Sequence, residues 1–114
     1  KIDDNNLKIY IDSITKIDKN NKLQIIYSKQ WEYIIYKTGL AADMFIWKNI
    51  KNLKMPTLII KAEESTAFYD SAAKKIKKLN KANIDIIQLE KSSHLFPIEQ
   101  PEKTSEKILS FINN

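Results

Sequence analysis

Two short apolar runs, separated by a helical pattern, constrain the fold of this chain most. Residues 57–61 and 84–89 are rich in β-branched side chains, as buried strands are. Residues 66–80, between the two runs, have apolar side chains at helical spacing. Strands that alternate with helices pair in parallel, because the helical crossover returns the chain to the same end of the sheet. The sequence therefore predicts a parallel βαβ unit and an α/β fold.

The only histidine of the chain follows the second predicted strand. In parallel sheets, functional groups lie in the loops just past the carboxyl ends of the strands, and His94 has that position. An imidazole can accept a proton near neutral pH, so His94 is a candidate general base. By position alone, a surface or hydrogen-bonded structural histidine is the alternative.

The residues around this unit resemble the C-terminal part of an α/β-hydrolase. The resemblance rests on Pro-Thr-Leu-Ile-Ile from Pro56, His-Leu-Phe from His94 and Glu-Gln-Pro-Glu from Glu99. The approach to the first strand, from Trp47 to Leu58, is similar as well. The fold that this resemblance implies is a partial α/β-hydrolase fold, in which a C-terminal βαβα unit with parallel strands follows cap-like helices.

The resemblance also divides the chain into two segments. Residues 1–54 match the cap, or lid, of such enzymes, and residues 55–114 match the C-terminal βαβα portion of the core. In the second segment, Pro101 suits the first turn of a final helix, where its missing N–H is not needed. The buried stripe of that helix is expected to consist of Ile108, Leu109 and Ile112.

Helical spacing in the first segment predicts three helices, which are residues 3–17, 28–38 and 42–49. Asp3 or Asp4 is expected to cap the first helix, and Gly39, the only glycine, is expected to end the second. Between the first two helices, a turn at residues 18–21 leads to a short extended stretch at residues 22–27. The aromatic side chains of this segment are interpreted as ordinary core, with a substrate pocket as the alternative.

The resemblance implies a catalytic histidine and an acid that orients it. His94 matches the histidine, although Ser93 stands where the family often has glycine. The position of the family's aspartate falls on Ser65 or Thr66, so Glu64 is the predicted acid, as a nearby carboxylate. Asp70 lies farther along the chain, where an acidic residue favours the start of a helix through the helix dipole.

No nucleophile is predicted within these 114 residues. The motif that presents the serine of such hydrolases is Gly-x-Ser-x-Gly, whose two glycines permit a strained turn between strand and helix. This chain has one glycine, Gly39, and therefore cannot contain the motif. The oxyanion-hole loop of the family also belongs to a part that is not present here.

Composition argues against several other classes of function. The chain has no cysteine and one histidine, so no metal site and no cofactor are predicted. No apolar run approaches the roughly 20 residues of a membrane span, and no signal peptide is visible, so a cytoplasmic location is expected. The net charge of +5 comes from 19 lysines without arginine, mixed with 14 carboxylates. This spread of charge makes nucleic-acid binding the least favoured function.

Two hypotheses follow for the function. In the first, the chain is the C-terminal fragment of a serine-type hydrolase of ester, amide or similar acyl bonds. Alone it would be inactive, and its partner would be the missing N-terminal half. In the second, it is a non-catalytic remnant that binds a partner or a second copy of itself. A sheet of two strands has open edges, which favours a homodimer when the chain is alone.

Overall fold

In the computed structural model, residues 2–113 are described, apart from the side chains of 40 and 41. They form two compact units, residues 2–48 and residues 49–113. The terminal residues of the two predicted segments, 1 and 114, lie outside the described part. The assignment of the first segment to a cap stays a prediction.

The first unit begins with helix α1, Asp4–Ile14, and a hairpin of two short strands, β1 (Thr15–Ile17) and β2 (Leu23–Ile25). The predicted capping is confirmed for Asp3, whose side chain accepts hydrogen bonds from the backbone N–H groups of Asn5 and Asn6, each at 3.0 Å.

The prediction of one helix over residues 3–17 is wrong at its end. The last three of these residues pair with β2 in antiparallel register, with Thr15 opposite Ile25. Asp18 closes the turn between the strands, because its carboxylate accepts the backbone N–H groups of Asn20 and Lys22, each at 2.8 Å. Such local bonds to an aspartate compete with helix formation and favour a turn instead.

Helix α2, Lys29–Asn49, is continuous where two helices were predicted. Ser28 caps its start, since its Oγ accepts the N–H of Trp31 at 3.1 Å. Gly39 does not end a helix and does not have a positive φ. A glycine inside a helix costs about 1 kcal/mol relative to alanine, which weakens a long helix without breaking it.

Aromatic side chains on α2 are largely exposed, so their interpretation as ordinary core is wrong, and aliphatic side chains of this helix are exposed as well. Residues on several sides of the helix share this exposure, among them Trp31, Tyr33, Ile34, Tyr36, Phe45 and Ile46. A helix that is apolar on most sides normally lies inside a larger protein.

The second unit contains the predicted βαβ arrangement. Its elements are a 3₁₀ turn (Ile50–Asn52), β3 (Thr57–Ala62), α3 (Asp70–Leu79), β4 (Ile84–Leu89), α4 (Phe96–Glu99) and α5 (Pro101–Ile112). Strands β3 and β4 pair in parallel, from Thr57 opposite Ile84 to Ala62 opposite Leu89. This pairing confirms the α/β fold class, and Pro101 begins the last helix as predicted.

Two predictions for the helices of this unit are wrong. Helix α3 begins at Asp70, because the loop before it has its own hydrogen bonds, such as that from the Ala67 N–H to Ser65 Oγ at 3.2 Å. The expected buried stripe of α5 is exposed: the exposed fractions are 41% for Ile108, 56% for Leu109 and 68% for Ile112. A sheet of two strands is too narrow to cover this face of the helix.

The interior of the second unit is small. Its buried apolar residues, among those that the structure describes, are Ala62, Ile76, Ile84 and Leu89. Asn80 adds two hydrogen bonds to this interior. Its buried amide donates to the carbonyl of Ile50 at 2.9 Å and to that of Leu53 at 2.8 Å. These bonds hold the segment before β3 against the end of α3.

The backbone bonds of the sheet define its open edges. The N–H of Thr57 donates to the carbonyl of Asn83, and that of Glu63 donates to the carbonyl of Leu89. The backbone N–H and C=O groups of successive residues in a strand point to opposite sides. In β3, those of the odd-numbered residues therefore point towards β4, and those of the even-numbered residues, such as Ile60, point away from it. Within the described residues, β3 and β4 pair only with each other.

The replacement Gly39→Ala tests the continuity of α2. A Cβ at this position would meet no atom within 4 Å. Alanine should therefore raise the free energy of unfolding by up to about 1 kcal/mol and increase helical content, as measured by thermal unfolding and far-ultraviolet circular dichroism. A loss of stability would instead indicate a glycine that ends a helix in the left-handed conformation, as the sequence had suggested.

Candidate functional site

The carboxyl ends of β3 and β4 lie at the same level, because Ala62 is opposite Leu89. Beyond this point the two following loops are bonded to each other. The N–H of Glu63 donates to the carbonyl of Leu89 and the N–H of Glu64 donates to the carbonyl of Ser92, each at 3.0 Å. The loop that carries His94 is therefore fixed beside the loop that follows β3.

The side chain of Glu63 gives the histidine loop a further support. Its carboxylate accepts the backbone N–H of Lys91 at 2.7 Å. Lys91 has a φ of 52°, in the left-handed region that residues other than glycine and asparagine rarely adopt. The hydrogen bond that Lys91 donates to Glu63 stabilises this turn, which lies between β4 and His94.

Glu99, on α4, binds the residue just before the histidine. Its carboxylate accepts the N–H of Ser93 at 2.7 Å and the hydroxyl of Ser93 at 2.9 Å. The backbone hydrogen bond from Ser93 is the main cause that lowers the pKa of Glu99 from its ordinary value of 4.5. Ser93 Oγ in turn accepts the N–H of Leu95 at 3.1 Å, so its side chain is part of the loop's structure.

Two more polar side chains complete the support of this loop. The amide of Gln100 donates to the carbonyls of Glu90 and Lys91 at 3.0 and 2.9 Å. Ser92 is only 1% exposed, and its hydroxyl donates to the carbonyl of Leu89 at 2.7 Å. A loop with this many partners presents the following histidine from a well-supported backbone.

His94 is exposed and faces the loop after β3. Its Nδ1 lies 3.4 Å from the Oγ of Ser65. In the described part of the chain this is the one hydrogen-bond contact of the ring, so Nε2 is open to other groups. An imidazole with one nitrogen held and the other open has the arrangement that a general base requires.

The structure separates the acidic residues that the sequence suggested. Asp70 lies in the first turn of α3 as expected, and its carboxylate forms an ion pair with the buried Lys61 at 3.0 Å. The hydrogen bond and the charge of Lys61 lower the pKa of Asp70. The carboxylate of Glu64 is exposed and has no hydrogen bond among the described residues. Its role as the acid stays a prediction, as does that of His94 as the base.

Sequence reasoning missed the supporting residues of the histidine loop. In the sequence, Glu99 and Gln100 stand out only as part of the Glu-Gln-Pro-Glu stretch, and Glu63 only as the neighbour of the predicted acid Glu64. The available signal was the serine pair before His94, since buried hydroxyls need polar partners. Which carboxylate supplies those partners depends on the path of the chain, which the sequence alone does not define.

An open hollow of about 190 Å³ adjoins the candidate site. It is lined by the loop after β3 and the start of α3: Lys61, Glu63, Glu64, Ser65, Phe68 and Asp70 are among its residues. A larger hollow of about 430 Å³ lies between α3 and β4, with Lys61, Lys77, Ile86 and Gln88 in its wall. The smaller hollow is too small for most ligands, since typical ligand pockets measure about 300–1,000 Å³.

Over residues 2–113, no group of three or more potential metal-ligating side chains occurs. Within the same range, no helix combines the length and the apolar character that a membrane span requires.

The fold has a clear counterpart among solved structures. The crystal structure of E-2-(acetamidomethylene)succinate hydrolase aligns with this chain at a TM-score of 0.82 and 20% sequence identity. The alignment covers 99% of this chain and 40% of that one. Comparison with protein-family models gives no match. Comparison with curated proteins gives none either.

This likeness confirms the predicted fold. The chain has a partial α/β-hydrolase fold and spans about 40% of the length of the hydrolase that it matches.

The replacement Glu99→Gln tests the support of the histidine loop through its pH dependence. Because folding lowers the pKa of Glu99, its stabilising effect is complete above the ordinary value of 4.5 and is lost as the pH falls through the lower folded-state value. In the wild type, the urea concentration at the midpoint of unfolding should fall between pH 6 and pH 3. In the variant this fall should be smaller, as measured by urea unfolding at each pH.

Glu102→Gln is the matched control, because this exposed carboxylate lies in the first turn of α5 and has no hydrogen bond among the described residues. Between pH 6 and pH 3, the fall in its urea midpoint should be closer to that of the wild type. An equal fall in midpoint for both variants would contradict the role given to Glu99.

Proposed function

We propose that the chain supplies the histidine-bearing part of an α/β-hydrolase that cleaves ester, amide or similar acyl bonds, with His94 as the general base. The observation that supports this most is the position of His94. It stands in the loop beyond β4, at the carboxyl edge of a parallel pair, with one ring nitrogen held and the other open. The shared fold with a hydrolase supports the same reaction class.

In this reaction Nε2 of His94 takes the proton of a serine hydroxyl as the oxygen attacks the acyl carbon, and then gives it to the leaving group. The serine has to come from outside these 114 residues, because a chain with one glycine has no Gly-x-Ser-x-Gly turn. The isolated chain is therefore expected to be inactive. Its catalytic partner is the part of the hydrolase fold that it lacks.

Glu64 is the carboxylate proposed to stabilise the imidazolium. The other carboxylates near the loop have partners already: Glu63 binds the Lys91 N–H, Glu99 binds Ser93 and Asp70 binds Lys61. Glu64 has none among the described residues, so its carboxylate is available for this role. Its exposure to water makes this effect small, in the range of a surface ion pair.

The matched hydrolase is named for an acetamido compound, which belongs to the amide class of acyl substrates. We extend only this class to the present chain, since most of the substrate pocket would lie in the missing part. The proposed reaction needs no cofactor, metal, nucleic acid or membrane, and the proposal keeps the predicted cytoplasmic location.

The replacement His94→Ala tests the catalytic proposal in the protein expressed from its own gene, start codon included. Hydrolysis of p-nitrophenyl acetate should fall by about 10²–10⁴-fold in kcat/KM, because the proton acceptor is lost. Labelling of the serine by a fluorophosphonate probe should fall as well. Lys103→Ala, on the exposed face of α5, is the control and should keep full activity. Activity retained in His94→Ala would exclude His94 as the base.

A second candidate function is a self-associating, non-catalytic module. Two observations favour it: among the described residues the β3–β4 sheet has open edges, and the apolar faces of α2 and α5 are exposed. Open strand edges can pair with a strand of another chain, and exposed apolar faces can pack against one. The missing strands of a hydrolase fold would precede β3 in the chain, so the outer edge of β3 is the proposed contact for a second copy.

The replacement Ile60→Pro tests this association. Light scattering of the isolated chain should give the mass of a dimer, twice the 13.3 kDa of one chain. Proline removes an N–H that faces away from β4, so it should block edge pairing and shift the mass towards a monomer while leaving the β3–β4 ladder intact. Ile60→Val keeps the N–H and should stay dimeric. A wild-type monomer, or a dimer unaffected by proline, would contradict pairing through this edge.

A further inference from the structure

The contact between Ser65 and His94 is the feature of the site that carries an inference beyond the proposed reaction class. Ser65 lies in the loop that follows β3, three residues after the strand ends, and its Oγ lies 3.4 Å from Nδ1 of His94. The two residues are 29 positions apart in the chain and meet only because the loops after β3 and β4 lie side by side. A neutral hydroxyl therefore contacts the ring at the nitrogen where an orienting carboxylate would be expected.

Ser65 is itself positioned by its own loop. Its N–H donates to the carbonyl of Ala62 at 3.4 Å, and its Oγ accepts the N–H of Ala67 at 3.2 Å. The hydroxyl is half-buried, whereas the carboxylate of the preceding Glu64 is exposed. A serine oxygen has two acceptor sites, so one remains for the imidazole after the bond from Ala67.

We propose that Ser65 is the positioning residue of His94: its Oγ accepts the Nδ1–H and so leaves Nε2 unprotonated as the base. This inference rests on the proposed function, because a base that acts through Nε2 requires the proton on Nδ1. The bond fixes the tautomer and the ring orientation. It brings no negative charge, so the cation formed during catalysis is stabilised less than it would be beside a bonded carboxylate.

The charged groups around the ring are compatible with this assignment. From the loop after β3, Glu63 is bonded to Lys91, and Glu64 has no bond among the described residues. From α4, Glu99 is bonded to Ser93. None of these carboxylates has a hydrogen bond to the ring, and Ser65 does.

The experiment is nitrogen-15 NMR of the histidine ring in the chain of 114 residues, which needs no activity. His94 is the only histidine, so its two ring nitrogens give the only imidazole signals. Above the pH at which the ring loses its charge, Nδ1 should give a signal typical of a protonated nitrogen and Nε2 that of an unprotonated one. Ser65→Ala should shift both signals towards the average of mixed tautomers.

Three variants make the test specific. Ser65→Thr keeps the hydroxyl and should restore the wild-type signals. Ser65→Asp places a carboxylate at the same point and should favour the Nδ1–H tautomer at least as strongly. Lys103→Ala, on the exposed face of α5, is the control and should leave the signals unchanged. Amide spectra of each variant establish that the fold is kept.

Three results would overturn the proposal. Wild-type signals with the proton on Nε2, or unchanged signals in folded Ser65→Ala, would show that Ser65 does not position the ring. A change in Glu64→Gln alone would assign that role to Glu64. Because the NMR signals report the ring and not turnover, they remain informative if His94→Ala keeps hydrolytic activity. Failure of the proposed function is thereby distinguished from failure of this inference.

Discussion

The parallel pairing of β3 with β4 is the constraint on which the candidate site depends. With Ala62 opposite Leu89, both loops leave the sheet at the same level and can bond to each other. A slip of one residue would reverse the faces of all side chains on one strand and separate Glu63 from Lys91. The geometry around His94 therefore follows from backbone pairing, which the β-branched composition of both strands favours.

The backbone N–H and C=O groups of the histidine loop find their hydrogen-bond partners in side chains rather than in a helix or a strand. Glu63, Glu99 and Gln100 each bond to backbone groups between β4 and His94. Buried or half-buried backbone groups need such partners, and a loop that lacked them would be mobile. Three long polar side chains, from the loop after β3 and from the end of α4 with the residue that follows it, thus support the loop that carries one exposed imidazole.

The sequence predicted the strands, the parallel fold and the place of the histidine, because β-branched runs and chain order encode them locally. It failed where local patterns compete with distant or specific contacts. The carboxylate of Asp18 turns the end of a predicted helix into a hairpin, and Gly39 lies inside a helix that it was expected to end. The approach of Ser65 to His94 arises from strand register across 29 residues, which no local pattern reveals.

The left-handed backbone at Lys91 carries a consequence for how this chain can change. A residue with a Cβ pays about 1–2 kcal/mol in this conformation, so glycine would relieve strain there. Glycine would also make the unfolded chain and the loop itself more adaptable, three residues before His94. The lysine therefore keeps the loop before His94 in a narrower range of conformations than glycine would, at the cost of backbone strain at this one position.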